Sequence, residues 1–130
     1  MSHHREVITA TGAPAAVGPY SHAVQAGGLL FCSGQIPLDP DTGELVGSTA
    51  AEQATRCLEN LAAIAEAGGS SLSDAVKCTV LLTSMGDFAE VNEAYASFFG
   101  AEPPARIAYE VSALPRNARV EIDAIVALGG

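Results

Sequence analysis

The sequence contains no tryptophan, and aromatic residues make up only 5% of its 130 residues, whereas apolar residues reach 48%. A buried core must therefore be built mainly from Ala, Val, Leu and Ile. Basic residues are also scarce, since six Lys and Arg stand against fifteen Asp and Glu, which gives a formal charge of −9. This balance argues against a function that depends on neutralising the phosphates of a nucleic acid. A small anion can still bind where the fold holds a local cation for it.

Long apolar runs are absent as well. No segment approaches the roughly 20 apolar residues that a membrane span requires. The first residues, Met-Ser-His-His-Arg-Glu, lack the apolar segment of a signal peptide. We therefore expect a cytoplasmic protein with no membrane partner, and we expect residues 1–130 to form one domain.

Cysteine is present three times, at positions that are widely spaced and form no CxxC pair: Cys32, Cys57 and Cys78. An odd set among apolar neighbours is typical of reduced thiols in a core. The only histidines are His3 and His4, in a polar terminus, and His22, in a predicted strand. One histidine supplies neither a metal site nor a catalytic triad, so we expect no metal.

Alternation and turn residues predict the secondary structure of the first hundred residues. Strands are expected over residues 6–9, 21–25, 29–33 and 76–82, with a hairpin turn at Gly27-Gly28. A helix is expected from a capping box at Thr49-Ala-Ala-Glu52 to Gly68-Gly69. Ser84-Met-Gly-Asp87 resembles a second capping box, and a second helix is expected from there to Gly100.

The C-terminal third predicts two more strands, joined by a turn around Pro115 and Asn117. In the last strand Val120, Ile122, Ala124 and Val126 share one face, and Glu121 and Asp123 share the other. In the strand before it, Ile107, Tyr109 and Val111 form the apolar set. If the two strands are an antiparallel pair over one core, Arg106 and Glu121 lie on the same side of the sheet. They are then either a structural ion pair or parts of an anion site.

This order of elements predicts an α+β fold, with a mixed sheet of five or six strands and two helices on one face. The other face is too apolar to remain in water, because its charges are interspersed with Thr79, Leu81, Ala108, Ile125 and Ala127. We expect a second copy of the chain to cover it.

Several motifs resemble one known family along essentially the whole chain. They are Val17-Gly-Pro-Tyr20-Ser, Phe31-Cys-Ser-Gly-Gln-Ile-Pro37 with the turn to Leu45, Asp87-Phe-Ala-Glu-Val-Asn-Glu-Ala-Tyr95, Pro104-Ala-Arg106, Leu114-Pro115 and Val120-Glu121-Ile122. In these motifs the chain resembles the RidA family, also called YjgF/YER057c/UK114. The resemblance implies a chorismate-mutase-like fold and a homotrimer with ligand clefts between subunits. It also implies hydrolysis of 2-iminobutanoate, 2-iminopropanoate and similar acids to 2-oxo acids and ammonia, without a metal or a cofactor.

The resemblance also implies roles for individual residues. Arg106 would hold the substrate carboxylate through its guanidinium fork, and Glu121 would position and activate the attacking water. The remaining substrate contacts would come from Tyr20, Ser33, Gly34 and Asn92 and from the backbone at Ile107 and Ala108.

Two positions depart from patterns frequent in the family. Ile107 stands where Ser, Thr or Ala often follows the arginine, and the alternation is expected to turn its side chain into the core. Ala108 stands where some members have Cys, so no mechanism should need a thiol there. A second hypothesis is a trimeric module that binds or senses a small carboxylate without turnover. Glu121 favours the enzyme, and the acidic charge disfavours a third hypothesis, a nuclease.

Overall fold

The structure is a computed structural model that describes residues 4–129; Met1 to His3, with the predicted terminal His3, and Gly130 lie outside the described residues. The strands are β1 (Glu6–Ile8), β2 (Ala23–Ala26), β3 (Leu29–Gln35), β4 (Ala75–Leu82), β5 (Ala105–Glu110) and β6 (Val120–Ala127). The helices are α1 (Ala50–Ala67) and α2 (Phe88–Ala96). All six strands form one sheet in the order β1-β2-β3-β6-β4-β5. The predicted α+β fold, with a mixed sheet and two helices, is confirmed.

The sheet is mixed because β5 runs parallel to β4, whereas its other neighbouring pairs are antiparallel. Helix α2 lies between β4 and β5 in the sequence, and a helical crossover brings the next strand alongside and parallel to the previous one. The predicted pairing of β5 with β6 is therefore wrong, because β4 lies between them. The chain reaches β6 over residues 111–119, which include a single helical turn at Pro115–Asn117.

Both helices cover the same face of the sheet. The predicted inward set of β6, Val120, Ile122, Ala124 and Val126, is buried, and it packs in one cluster with residues of α1 such as Leu61. No helix in the described part of the chain is long and apolar enough to cross a membrane.

The opposite face of the sheet, here called the open face, is apolar and has no covering layer in residues 4–129. Phe31 pairs with Ile125 there, Leu81 pairs with both Tyr109 and Glu121, and Phe31 and Tyr109 are 43% and 50% exposed. The predicted apolar character of this face is confirmed, although Ala108 lies on the other face and packs against the core.

Helix α1 begins and ends as its sequence predicts. The Thr49 side chain accepts a hydrogen bond from the Glu52 backbone N–H, and Glu52 accepts one from the Thr49 N–H, both at 3.1 Å. This is the reciprocal capping box. Gly68 caps the C-terminus, and the predicted apolar stripe, which includes Leu58 and Ile64, is fully buried.

Helix α2 differs from its prediction at both ends. The Ser84 hydroxyl accepts from the Gly86 N–H, but Asp87 makes no capping bond to α2. Its carboxylate instead accepts two hydrogen bonds from Arg119, both at 3.0 Å, because a guanidinium offers a charge-assisted partner that a backbone N–H cannot match. The helix ends at Ala96 rather than at Gly100.

Candidate functional site

The register of β5 against β4 decides where Arg106 points. Arg106 pairs with the buried Cys78, and Ile107 pairs with Thr79 on the open face. Paired residues project to the same side of a sheet, so Arg106 lies on the helix-covered side and Ile107 on the open side. The predicted faces of β5 are therefore inverted, and the Ile107 side chain, 49% exposed, is not in the core.

Helix α2 holds the guanidinium of Arg106. Nη1 of Arg106 donates to Oδ1 of Asn92 at 2.7 Å, and Cζ lies 4.9 Å from the ring centroid of Tyr95 and 5.5 Å from that of Phe88. Residues 88, 92 and 95 are spaced by four and three, so they share one face of α2. A cation over two aromatic rings and a side-chain amide is held in orientation as well as attracted.

Tyr95 supports this arrangement from a buried position. Burial raises the pKa of its phenol, so the ring stays neutral and presents an uncharged face to Arg106. A cavity of about 500 Å³, here called the Arg106 cavity, lies beside these side chains. It is lined by Asn92, Tyr95, Ala96, Phe99, Gly100, Pro103, Pro104 and Arg106.

Glu121 lies on the open face of β6, in a half-buried position. Burial raises the pKa of its carboxyl, and the neighbouring negative charge of Asp123 raises it further. On the β3 side, its carboxylate fills the space that a side chain at position 34 would need. A Cβ on Gly34 would lie 3.2 Å from the carboxyl carbon of Glu121 and closer still to one oxygen. Gly34 is therefore required so that the carboxylate can lie against the backbone of β3.

A second cavity, of about 550 Å³ and here called the Glu121 cavity, brings several predicted residues together. Its lining is Pro14, Ala15, Val17, Tyr20, Ser33, Gly34, Gln35, Ile36, Leu38, Pro115, Arg116 and Glu121. The Tyr20 hydroxyl accepts a 3.4 Å bond from the Val17 N–H, and the Ser33 hydroxyl donates to the Ser21 carbonyl at 2.6 Å. Both side chains are thus tied to the loop that forms the cavity wall.

The two halves of the predicted site do not meet within one chain. Tyr20, Ser33 and Gly34 gather around Glu121, whereas Asn92 and Arg106 lie on the other side of the sheet. The expectation that Arg106 and Glu121 share a face is therefore wrong, and so is the alternative of an ion pair between them. Within residues 4–129 the ion pairs are Arg56–Glu59 and Arg119–Asp87.

Sequence reasoning missed two residues at this site, Arg116 and His22. Arg116 lines the Glu121 cavity, and its position directly after Pro115 in the predicted turn was the available signal. His22 is buried behind the cavity wall, where Nδ1 accepts from the Ala10 N–H at 2.9 Å and Nε2 donates to the Pro14 carbonyl at 2.8 Å. No local pattern in the sequence indicates these long-range bonds.

The three cysteines are free and buried, as the sequence predicts. Burial raises the pKa of the Cys32 thiol to about 12 and also raises the pKa values of Cys57 and Cys78. Thiols in such surroundings are protonated and poor nucleophiles. Within residues 4–129, no three His, Cys, Asp or Glu side chains form a cluster suited to a metal ion.

The chain is similar to known proteins along almost its full length. The family model described as Endoribonuclease L-PSP matches residues 10–128. The RutC family protein y4sK of Sinorhizobium fredii is 56% identical over 95% of this chain and 98% of its own length. The 2-iminobutanoate/2-iminopropanoate deaminase of Mus musculus is 50% identical over 96% of this chain and 93% of its own length. The crystal structure of RidA from the Antarctic bacterium Psychrobacter sp. superposes with a TM-score of 0.91 at 44% identity, covering 95% of this chain and 99% of that one. The chain therefore belongs to the Endoribonuclease L-PSP family, which is the RidA/YjgF family.

Proposed function

We propose that this protein hydrolyses 2-imino acids such as 2-iminobutanoate to 2-oxo acids and ammonia. The observation that carries the proposal is Glu121, a half-buried carboxylate of raised pKa in a cavity that it shares with Tyr20 and Ser33. A relative that is 50% identical is named as a deaminase of such acids, which supports the same reaction here. The net charge of −9 argues against nucleic acid as the substrate.

Arg106 anchors the substrate carboxylate in this proposal. Within residues 4–129 it is in no ion pair, so its charge is available to a ligand, while Asn92 and the ring faces of α2 fix its orientation. A guanidinium fork binds a carboxylate bidentately and so fixes the orientation of the substrate. Backbone groups at Ile107 and Ala108 follow Arg106 on β5 and supply the neighbouring contacts.

Glu121 acts as the general base. Its raised pKa brings the basicity of the carboxylate closer to neutral pH, where proton abstraction from water is more effective. As the water oxygen bonds to C2 of the protonated imine, Glu121 takes a proton and the C=N electron pair moves to nitrogen. Glu121 then passes that proton to the nitrogen. When the C–N bond breaks, its electron pair leaves with ammonia, and the hydroxyl proton passes to Glu121 as the C2=O bond of the 2-oxo acid forms. Glu121 then gives this proton to the ammonia and is again a base.

A second copy of the chain completes the site. Arg106 and Glu121 lie on opposite sides of the sheet, so one protomer cannot present both to a single small substrate. The apolar open face, with Phe31 and Tyr109 about half exposed, requires a cover. We propose a homotrimer in which Arg106 of one protomer enters the Glu121 cavity of its neighbour.

The alternative is a trimeric module that binds a small carboxylate without turnover. The separation of the two cavities favours it, because the Arg106 cavity can bind an anion without Glu121. The two functions differ in turnover, so hydrolysis by the wild type distinguishes them, and a substitution at position 121 tests the role of Glu121 as the base.

The test measures imine hydrolysis and 2-oxobutanoate binding in the same variants. An amino-acid deaminating enzyme supplies 2-iminobutanoate, and its disappearance is followed. Glu121→Gln should retain 2-oxobutanoate binding and lose turnover by on the order of 10²–10⁴-fold, as for a lost general base. Arg106→Ala should lose both, and Arg106→Lys should recover little, because it lacks the fork. Unchanged turnover in Glu121→Gln would show that Glu121 is not the base. Wild-type protein that binds 2-oxobutanoate but does not hydrolyse 2-iminobutanoate would overturn the enzyme proposal in favour of the binding module.

A further inference from the structure

The Glu121 cavity contains one cation of its own, which the proposed reaction does not use. Among the described residues that line it, only Arg116 carries a positive charge. Because Arg106 enters from the neighbouring protomer in the proposed site, the completed cavity has two guanidinium groups. A substrate with a single carboxylate needs only one of them.

The backbone at Arg116 is strained, because this position has a left-handed conformation but is not glycine. Arg116 and Asn117 both have φ of 60°, in the left-handed region that glycine adopts readily. Asparagine tolerates this region, whereas an arginine there is strained, because its Cβ lies too close to the following carbonyl oxygen. A strained residue that lines a cavity, where glycine would fit the backbone better, indicates that its side chain has a use.

The charge of Arg116 is also not compensated within residues 4–129. Arg56 and Arg119 pair with Glu59 and Asp87, but no carboxylate of the described chain lies within ion-pair distance of Arg116. The hydrogen bond found for its side chain joins Nη1 to the Gly43 carbonyl at 3.3 Å. A guanidinium has five N–H donors, so donors remain for an anion in the cavity.

We propose that Arg116 binds a second carboxylate at the side-chain end of the substrate. The site then prefers 2-imino dicarboxylates, derived from acidic amino acids, over 2-iminobutanoate. The inference rests on the proposed function, in which Arg106 holds the carboxylate next to C2. The methylene groups between the two carboxylates contact the apolar wall formed by Pro14, Val17 and Leu38. In a chain with a charge of −9, a dianion needs this second cation to enter the cavity.

The test compares the affinities of two product-type ligands, 2-oxoglutarate and 2-oxobutanoate, by calorimetry. The wild type should bind 2-oxoglutarate more tightly. Arg116→Gln should reduce the ratio of the two affinities by on the order of tenfold to a hundredfold, the usual effect of losing a hydrogen bond to a charged group. Arg116→Lys should retain part of the preference because it retains the charge.

Two further variants control for net charge and for folding. Arg5→Gln removes the same charge outside both cavities and should leave the ratio unchanged. Arg116→Gly removes the side chain while fitting the left-handed backbone, so it keeps the comparison valid if Arg116→Gln folds poorly.

The possible outcomes separate this inference from the proposed function. If the wild type binds 2-oxobutanoate and hydrolyses 2-iminobutanoate but shows no preference for 2-oxoglutarate, the inference is wrong and the proposed function stands. An equal effect of Arg116→Gln and Arg5→Gln on the ratio also overturns it, because the effect is then one of net charge. If the wild type binds neither ligand and hydrolyses no imine, both fail.

Discussion

Glu121 differs from an ordinary surface carboxylate both in its burial and in the charge beside it. Burial and the charge of Asp123 both raise its pKa. A base of raised pKa becomes protonated earlier as the pH falls, so kcat/KM should decrease in acid at a higher pH than for an ordinary carboxyl. Asp123→Asn should move this decrease to lower pH, because it removes the neighbouring charge while its amide oxygen can still accept the bond from the Thr79 N–H.

The raised pKa of Glu121 also predicts that the stability of the fold depends on pH. A carboxyl whose folded-state pKa is raised destabilises the fold increasingly as the pH rises from the unfolded pKa to the folded one. Glu121→Gln removes this ionisation, so it should raise the Tm at neutral pH. The gain should disappear in acid, where both states are protonated. A lower Tm for Glu121→Gln at neutral pH would mean instead that the carboxylate makes a stabilising contact in the assembled protein.

At the scale of the elements, the loop before β2 is held in place by His22. Its ring bonds to the backbone of Ala10 and Pro14, and its own carbonyl accepts from the Ser33 N–H at 2.9 Å. These bonds connect the cavity wall to β2 and to the end of β3. His22 does not line the cavity, but it bonds to Pro14 and Ser33, which do, so it acts as a positioning residue.

Replacing His22 should therefore affect binding more than the chemical step. His22→Ala leaves a buried N–H and a buried carbonyl without partners, which costs about 1–3 kcal/mol each. We expect a lower Tm and a several-fold rise in KM, with a smaller change in kcat. His22→Gln has a side-chain amide that can donate to the Pro14 carbonyl, so its KM should lie between those of the wild type and His22→Ala. A loss of Tm with unchanged KM in His22→Ala would show that the loop keeps its shape without the ring.

The helices and strands show which parts of the fold the sequence can predict. Helix α1 was predictable because its capping box, its apolar stripe and Gly68 are local signals that agree with one another. Strand β5 was not, because alternation marks Ile107 and Tyr109 as the buried set and Arg106 as exposed. In the structure Arg106 lies on the helix-covered side, and Ile107 and Tyr109 lie on the apolar open face. The strand order was equally hidden, since β5 pairs with β4 across α2, and the short segment before β6 suggested a hairpin instead.

For the candidate site, the sequence identified the residue types and the structure changed their grouping. Tyr20, Ser33, Gly34 and Glu121 were predicted to share a cleft, and all four line one cavity. The alternation in β5 predicts Arg106 beside Glu121, and both the face and the neighbouring strand of β5 differ in the structure. One chain therefore holds the two groups of predicted site residues on opposite sides of the sheet.

At the scale of the whole molecule, the proposed site depends on assembly. In the proposed trimer, Arg106 of one protomer and Glu121 of its neighbour act on the same substrate. Each of the variants Arg106→Ala and Glu121→Gln alone should retain at most about a hundredth of the wild-type turnover. In a mixed trimer, a site is intact where a Glu121→Gln protomer supplies Arg106 and the neighbouring Arg106→Ala protomer supplies Glu121.

Mixing these two variants tests whether two protomers share each site. They are co-expressed or unfolded and refolded together, and 2-iminobutanoate hydrolysis is compared with that of each variant alone. Random assembly around a cyclic trimer should restore about a quarter of the wild-type activity, because each site needs one particular variant on each side. Light scattering verifies that the mixture forms trimers. A trimeric mixture with no more activity than the separate variants would contradict the shared site.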